Sequence, residues 1–168
     1  MNGIAPDFIN NQQVTTSGSL WKTNTDYFWP DDGDKLSFFA YTPFGDNNVN
    51  VASASSTGMP SITYTANTDV TKQPDLMVAK ALDQTRNNTS IAAGVDMSFY
   101  HALTAITFAV GKDMVPGVFK SISIKNAITT ATYNLSTNTW NTSSGTSTGN
   151  ITINLNGTTG ITIDGTSD

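Results

Sequence analysis

The sequence predicts an all-β domain. Apolar residues alternate with Thr, Ser and Asn at period two over many short stretches, and Gly, Pro, Asn and Asp separate those stretches. Helical periodicity is nearly absent. All thirteen acidic residues are Asp and none is Glu, so a strong helix former is missing altogether.

The expected strands follow in chain order. Residues 13–19 are a polar, Thr-containing candidate. Residues 35–41 set Leu36, Phe38 and Ala40 against Ser37, Phe39 and Tyr41, so aromatics fall on both faces and the strand is covered on each side or coated outside with rings. Residues 61–65 alternate around Ile62 and Tyr64 after a Pro-containing turn. The run from Leu76 to Leu82 could turn helical, but a strand over residues 75–80 followed by a polar loop fits the surroundings better. Val95, Met97 and Phe99 share one parity and Ile106, Phe108 and Val110 the other, which requires a bulge, bend or break near His101. Residues 121–125 and 131–135 read as a strand pair, with Ile122 and Ile124 facing in alongside Tyr133 and Leu135. Residues 150–156 and 160–164 alternate most cleanly, and the Gly157-Thr-Thr-Gly160 link predicts a hairpin between them. Eight or more such strands at regular spacing predict a sandwich or barrel. A chain of 168 residues accommodates it as one domain, residues 1–168.

Composition narrows the function classes. Only 12% of residues are charged, about half the usual share, and the net charge of -5 leaves no basic patch for nucleic acid. The absence of Cys excludes a disulfide scaffold, a thiolate zinc site and a Cys nucleophile. No apolar run approaches the ~20 residues of a transmembrane helix.

Candidate chemistry is thin. The acidic cluster Asp31-Asp-Gly-Asp34 lacks the spacing and the distal Glu of a calcium loop, and after Trp29-Pro30 it reads as a turn. His101 has no second His and no Cys to complete a zinc site, and no Gly-x-Ser-x-Gly elbow supports a serine nucleophile. It reads instead as a hydrogen-bonded structural residue at the parity change. Facing carboxylates for glycoside hydrolysis could be drawn from many Asp residues, but most lie beside Gly, Asn or Pro in expected turns. Trp21, Trp29 and Trp140 could stack on sugars, although rings in a sandwich usually pack the interior. No catalytic, cofactor or metal residue is assigned, and no cofactor is expected.

Longer motifs stand in a fixed order. They are Phe8-Ile-Asn-Asn-Gln-Gln-Val-Thr15 with Ser19-Leu-Trp21; Tyr27-Phe-Trp-Pro-Asp-Asp-Gly-Asp-Lys-Leu-Ser-Phe-Phe-Ala-Tyr-Thr-Pro43; Gln73-Pro-Asp-Leu-Met-Val-Ala79; Phe99-Tyr-His-Ala-Leu-Thr-Ala-Ile-Thr-Phe108; and Ser121-Ile-Ser-Ile-Lys-Asn-Ala127 with Tyr133-Asn-Leu135 and Trp140. In this order and spacing, over about residues 8–140, they resemble the fimbrillin-like proteins of anaerobic gut and mouth bacteria. Residues 141–168 carry no matching motif. The resemblance implies a Greek-key, transthyretin-like β-sandwich of about eight strands with little or no helix. It implies export as a lipoprotein to the outer membrane and assembly into a surface fimbria by insertion of another subunit's strand. Partners are then other fimbrial subunits, with host glycans or proteins as possible receptors, and catalysis is not part of the pattern. A lipoprotein signal with its Cys, a strand ahead of Phe8 and a "L-x-PQ" stretch opening a second domain are not found. The chain therefore reads as the N-terminal domain of a longer two-domain precursor. The matching positions, Trp29, Pro30, Phe38, Ala40, Tyr41, Pro43, Leu76, Met77, His101, Leu103 and Trp140, are implied to be framework. Among them Trp29 and Pro30 set the turn, Phe38 and Ala40 the core, and His101 the bend.

Overall fold

A long two-stranded ribbon organises the molecule. The structure, a computed structural model, describes residues 9–30, 33–52, 60–87, 94–111, 114–143, 146–157 and 159–164. One arm of the ribbon is β8 (Gly117–Phe119) running into β9 (Ser121–Asn134), and the other is β10 (Thr139–Asn141), β11 (Ser147–Asn154) and β12 (Ile161–Ile163). The two arms meet at a turn built by Asn134. Its side-chain oxygen accepts from the backbone N–H groups of Ser136 and Thr137 at 2.9 and 3.0 Å, and Asn138 takes the left-handed conformation that Asn tolerates. Tyr133 then faces Trp140 across the ribbon, while Ile122 and Ile124 face Ile153 and Ile151.

Two expectations are corrected by this ribbon. Residues 121–125 and 131–135 are not paired with each other; all but Leu135 are parts of the single strand β9. Asn126, at φ 56, and a register shift between Gly149 and Ile151 let that strand bend without ending. Tyr133 and Leu135 are buried in the core, whereas Ile122 and Ile124 are only half-buried. Gly160 N–H does donate back to Leu155 O at 3.0 Å, but the flanking strands do not make a hairpin. The chain leaves the edge, loops and returns to it, so that β11 pairs with β9 and β12 with β8. Gly160 allows the return: its φ is +87, and a Cβ there would lie 2.6 Å from Phe119 O.

On the other side of β9, β5 (Ser61–Thr65) pairs with residues 130–134, and β4 (Val49–Val51) pairs with β5. The second sheet holds β3 (Leu36–Thr42), β6 (Met77–Gln84) and the short β7 (Tyr100–His101) in the order β3-β6-β7. A separate hairpin joins β1 (Val14–Ser17) to β2 (Leu20–Thr23). The one helical element among the described residues is a 3₁₀ turn, Val70–Lys72, capped by Asp69 accepting from Thr71 N–H at 3.0 Å. The Leu76–Leu82 run is strand from Met77 onward, and β6 continues to Gln84, past the end expected at residue 80.

Both sheets contribute to one core, which makes the architecture a sandwich. Val49, Ile62, Tyr64, Tyr133 and Leu135 come from the first sheet and the turn after it, and Leu76 and Val78 from β6 and its approach. Ile62 and Leu76 are wholly buried. Each such side chain contributes about 1.5–3 kcal/mol on removal from water. Phe39 and Tyr41 pack on this cluster from β3. Phe38 and Ala40, expected in the core, lie on the opposite face of the strand, across from Ala81 and Ala79, and the ring of Trp29 meets Phe38 edge-on at 5.8 Å. A strand covered on both faces needs apolar residues at successive positions, and that is the reason for the Phe38-Phe39 pair.

Candidate functional site

Three aromatic tips from the first sheet clamp the second. Tyr64 Oη donates to Pro74 O at 2.9 Å, the hydroxyls of Tyr133 and Tyr100 lie 3.4 Å apart, and Trp140 Nε1 donates to Ala102 O at 3.0 Å. The rings behind those tips pack edge-on, Tyr133 on Trp140 at 5.0 Å and Tyr64 on Trp140 at 6.4 Å. Each ring buries a large apolar area while its polar tip finds a partner. Burial pushes the hydroxyl pKa of Tyr64 up, with help from the nearby Asp46 and Asp75 charges. Burial together with the Tyr100 hydroxyl pushes that of Tyr133 up further.

Beyond Ala102 the clamping stops. Ala102 N–H donates to Leu76 O at 2.8 Å, and Leu103 still packs on the core. Residues 104–111 are then exposed and form no regular element, with no ladder to any described strand and no backbone hydrogen bond to another described residue. Ile106 is 56% exposed, Phe108 48% and Val110 36%, although the alternation there is that of a good strand. The strand expected over these residues is not assigned, and they have no pairing partner among the described residues. The preceding run through Val95, Met97 and Phe99 likewise enters a ladder only at Tyr100, where β7 meets Val78 and Met77 of β6.

A second edge without a described neighbour belongs to β9 of the first sheet. β5 ends its pairing with β9 at Thr65 opposite Thr130, and after Ala66 N–H donates to Thr129 O at 2.7 Å the chain departs into the 3₁₀ turn. Residues 121–128 of β9 keep β11 on one side and have no described strand on the other. A groove of about 290 Å³ opens near that point, walled by Tyr64, Leu103, Ile128, Ala131, Trp140 and Ile151. Unpaired edges beside an apolar groove are the geometry that accepts an added strand: the edge supplies main-chain hydrogen bonds and the groove accepts alternate side chains.

The implied framework residues are distributed around this core. Leu76 is wholly buried, Leu103 and Trp140 pack on the core, and Met77 faces Thr42 and His101 across the sheet. Tyr41 Oη donates to Asn11 Oδ1 at 2.7 Å, and Pro43 follows a cis peptide bond from Thr42. Trp29 and Pro30 are half-buried, and the turn expected after them falls on Asp31 and Asp32, outside the described residues. His101 ends β7, with Nδ1 2.6 Å from Asp75 Oδ2; both side chains are more than half exposed, so the pair contributes little to stability. Among the described residues no three His, Cys, Asp or Glu side chains are placed to hold a metal ion, and no helix is long and apolar enough to cross a membrane. Ile128 and Ile151, which wall the groove, had no sequence signal beyond ordinary strand alternation.

A family model described as fimbrillin-like matches residues 2–167. The chain belongs to that family. The fimbrillin-like chain is 29% identical over 111 residues to the fimbrium subunit Fim1C of Phocaeicola vulgatus, a match covering 60% of this chain and 29% of that protein. Its fold is similar to the crystal structure of a fimbrial protein from Bacteroides vulgatus, with a TM-score of 0.68 at 21% identity over 96% of this chain and 62% of that one. The matches thus span under a third of the curated relative and less than two thirds of the solved one.

Proposed function

We propose that this fimbrillin-like chain is part of a structural subunit or adhesin of a bacterial surface fimbria, that it is exported and held at the outer membrane as a lipoprotein, and that it joins other subunits by β-strand addition. Family membership and the fimbrial relatives support the role. The observation that carries the mode of assembly is the open seam: an exposed, alternating segment at 104–111 and a β9 edge at 121–128 with no described strand beside it, close to a groove walled by Leu103, Ile128 and Trp140. An incoming strand would complete main-chain hydrogen bonds and place alternate apolar side chains in that groove. The role is structural rather than catalytic.

The test is made with the full-length protein on the cells that produce it. Immunogold labelling along fibres or at their tips, lost when Ile151 is replaced by Asp while the subunit is still exported, is the expected result. Surface protein that never enters a fibre would remove the proposal.

A second reading, binding of a host glycan or protein, is favoured by one observation. Trp21 is 68% exposed on the β1–β2 hairpin, opposite Thr16. Trp140 does not serve that reading, because its ring is committed to Tyr133, Tyr64 and Ala102. A glycan-array signal abolished by Trp21→Ala with the fold intact would support it, and an unchanged or absent signal would end it.

A further inference from the structure

We infer that Tyr100 and Tyr133 are a built-in cross-linking pair, which a one-electron oxidant joins into a dityrosine bridge between the two sheets. Tyr133 lies on β9 of the first sheet and Tyr100 on β7 of the second, and their hydroxyl oxygens stand 3.4 Å apart. The two phenols differ in access: Tyr100 is 37% exposed, whereas Tyr133 is 3% exposed. Tyr41 and Tyr64 direct their hydroxyls to Asn11 Oδ1 and Pro74 O instead, and neither acceptor is a phenol. Both rings of the pair are held in place. Tyr133 packs edge-on against Trp140 at 5.0 Å, and Tyr100 stands opposite Val78 in the β6–β7 ladder. Held this way, each phenol meets the other at an effective concentration far above that of any phenol on a separate chain.

The chemistry enters through the exposed ring. A haem peroxidase supplied with hydrogen peroxide takes an electron from Tyr100, its hydroxyl proton leaves to solvent, and a phenoxyl radical remains. Burial and the Tyr100 hydroxyl keep the Tyr133 proton in place. Tyr133 is therefore oxidised by passing its hydrogen atom to the Tyr100 oxygen beside it, which restores Tyr100 for a second oxidation. Tyr100, at the surface, turns about its side-chain bonds on the ps–ns scale and brings its ring carbon beside that of Tyr133. The two radicals couple through the carbons next to their oxygens, and the hydrogen on each of those carbons moves to the oxygen to restore the hydroxyl. One C–C bond forms, the protein loses two hydrogen atoms, and one hydrogen peroxide becomes two waters. The chain has no Cys, so no thiol intercepts the radicals and no disulfide already joins the sheets. The bridge does not require the strand-addition reading.

The test treats the 168-residue protein, at low micromolar concentration, with a haem peroxidase and limiting hydrogen peroxide, and then isolates the monomer. The expected result is dityrosine fluorescence in the monomer, an intact mass lower by two hydrogen atoms, and a cross-linked peptide holding Tyr100 and Tyr133 in tandem mass spectrometry. Oxidised Met gains an oxygen and is read separately. The signal should fall at least about tenfold in Tyr100→Phe and in Tyr133→Phe, and stay unchanged in Tyr41→Phe. Tyr100→Phe keeps the ring and removes only a surface hydroxyl, so its melting curve should match the parent and its lost signal reports the phenol, not the fold. A monomer without dityrosine, dityrosine confined to dimers, or a bridge that persists in Tyr100→Phe would overturn the inference. Fibre formation on cells is read separately, so failure here leaves the strand-addition proposal standing.

Discussion

Replacing Trp140 with Phe isolates the hydrogen bond that holds the start of the open segment. The substitution keeps a ring between Tyr133 and Tyr64 but removes the indole N–H that donates to Ala102 O at 3.0 Å. Losing one net hydrogen bond costs about 1 kcal/mol, and a partly buried carbonyl left without its donor adds to that. The smaller ring gives up part of an edge-on interaction worth about 0.5–1.5 kcal/mol and leaves unfilled space beside it. Together these predict a loss of about 1.5–3 kcal/mol, or some 4–10 °C in melting temperature for a chain of this size.

The assay has two readouts. Urea unfolding gives the global loss, and amide hydrogen exchange reports the local one. The Ala102 N–H, bonded to Leu76 O at 2.8 Å, should lose protection beyond what the global change explains. The Ile62 N–H, in the β5 ladder, should follow the global change alone. A variant that melts within 1 °C of the parent, or one in which both amides lose protection equally, would refute the idea that Trp140 specifically clamps Ala102.

Further expectations concern the core, the tight turn and the tyrosines. Leu76→Ala should cost about 2–5 kcal/mol because its side chain is wholly buried, whereas Trp21→Ala should stay within about 0.5 kcal/mol because that ring is largely exposed; denaturant titration of both checks the contrast. Gly160→Ala forces a side chain onto φ +87 and against Phe119 O and Val118 Cγ1. It should cost about 2 kcal/mol or more, with exchange of the Ile161 and Ile163 amides accelerating first. Tyr64 and Tyr133 have hydroxyl pKa values raised above the ordinary 10.0 on folding. Their contribution is present in full below about pH 10 and is lost as pH climbs from there toward the folded values. Urea midpoints should therefore fall above pH 10, and the fall should be shallower in Tyr133→Phe.

The strands were legible wherever the residues themselves decide. Residues 61–65 are strand as read, since Ile62 and Tyr64 alternate with Ser and Thr between turn residues. Partners were not legible, because pairing depends on residues far away in sequence. Ile151-Thr-Ile153 and Ile161-Thr-Ile163 flank a Gly-rich turn and look like the two sides of a hairpin. Each instead pairs across the ribbon, the first with Ile122 to Ile124 and the second with residues 117–119. The bend at Asn126 was hidden for a related reason: Asn is common in turns, and nothing local marks this one as a kink inside a continuous strand.

Residues 104–111 show what alternation measures. Their pattern is as regular as that of β5, yet β5 lies between two strands and this segment beside none that is described. Alternation reports that a segment can fill one side of a sheet when a neighbour offers the other; it does not report that the neighbour belongs to the same chain. A monomer designed only to remain soluble would break such a segment with a charge or a proline. Here eight uncharged residues carry Ile106, Phe108 and Val110 at alternate positions, all exposed. The strand signal and the lack of a partner among the described residues are what the proposed strand addition would reconcile, with the other half of the ladder supplied by another subunit.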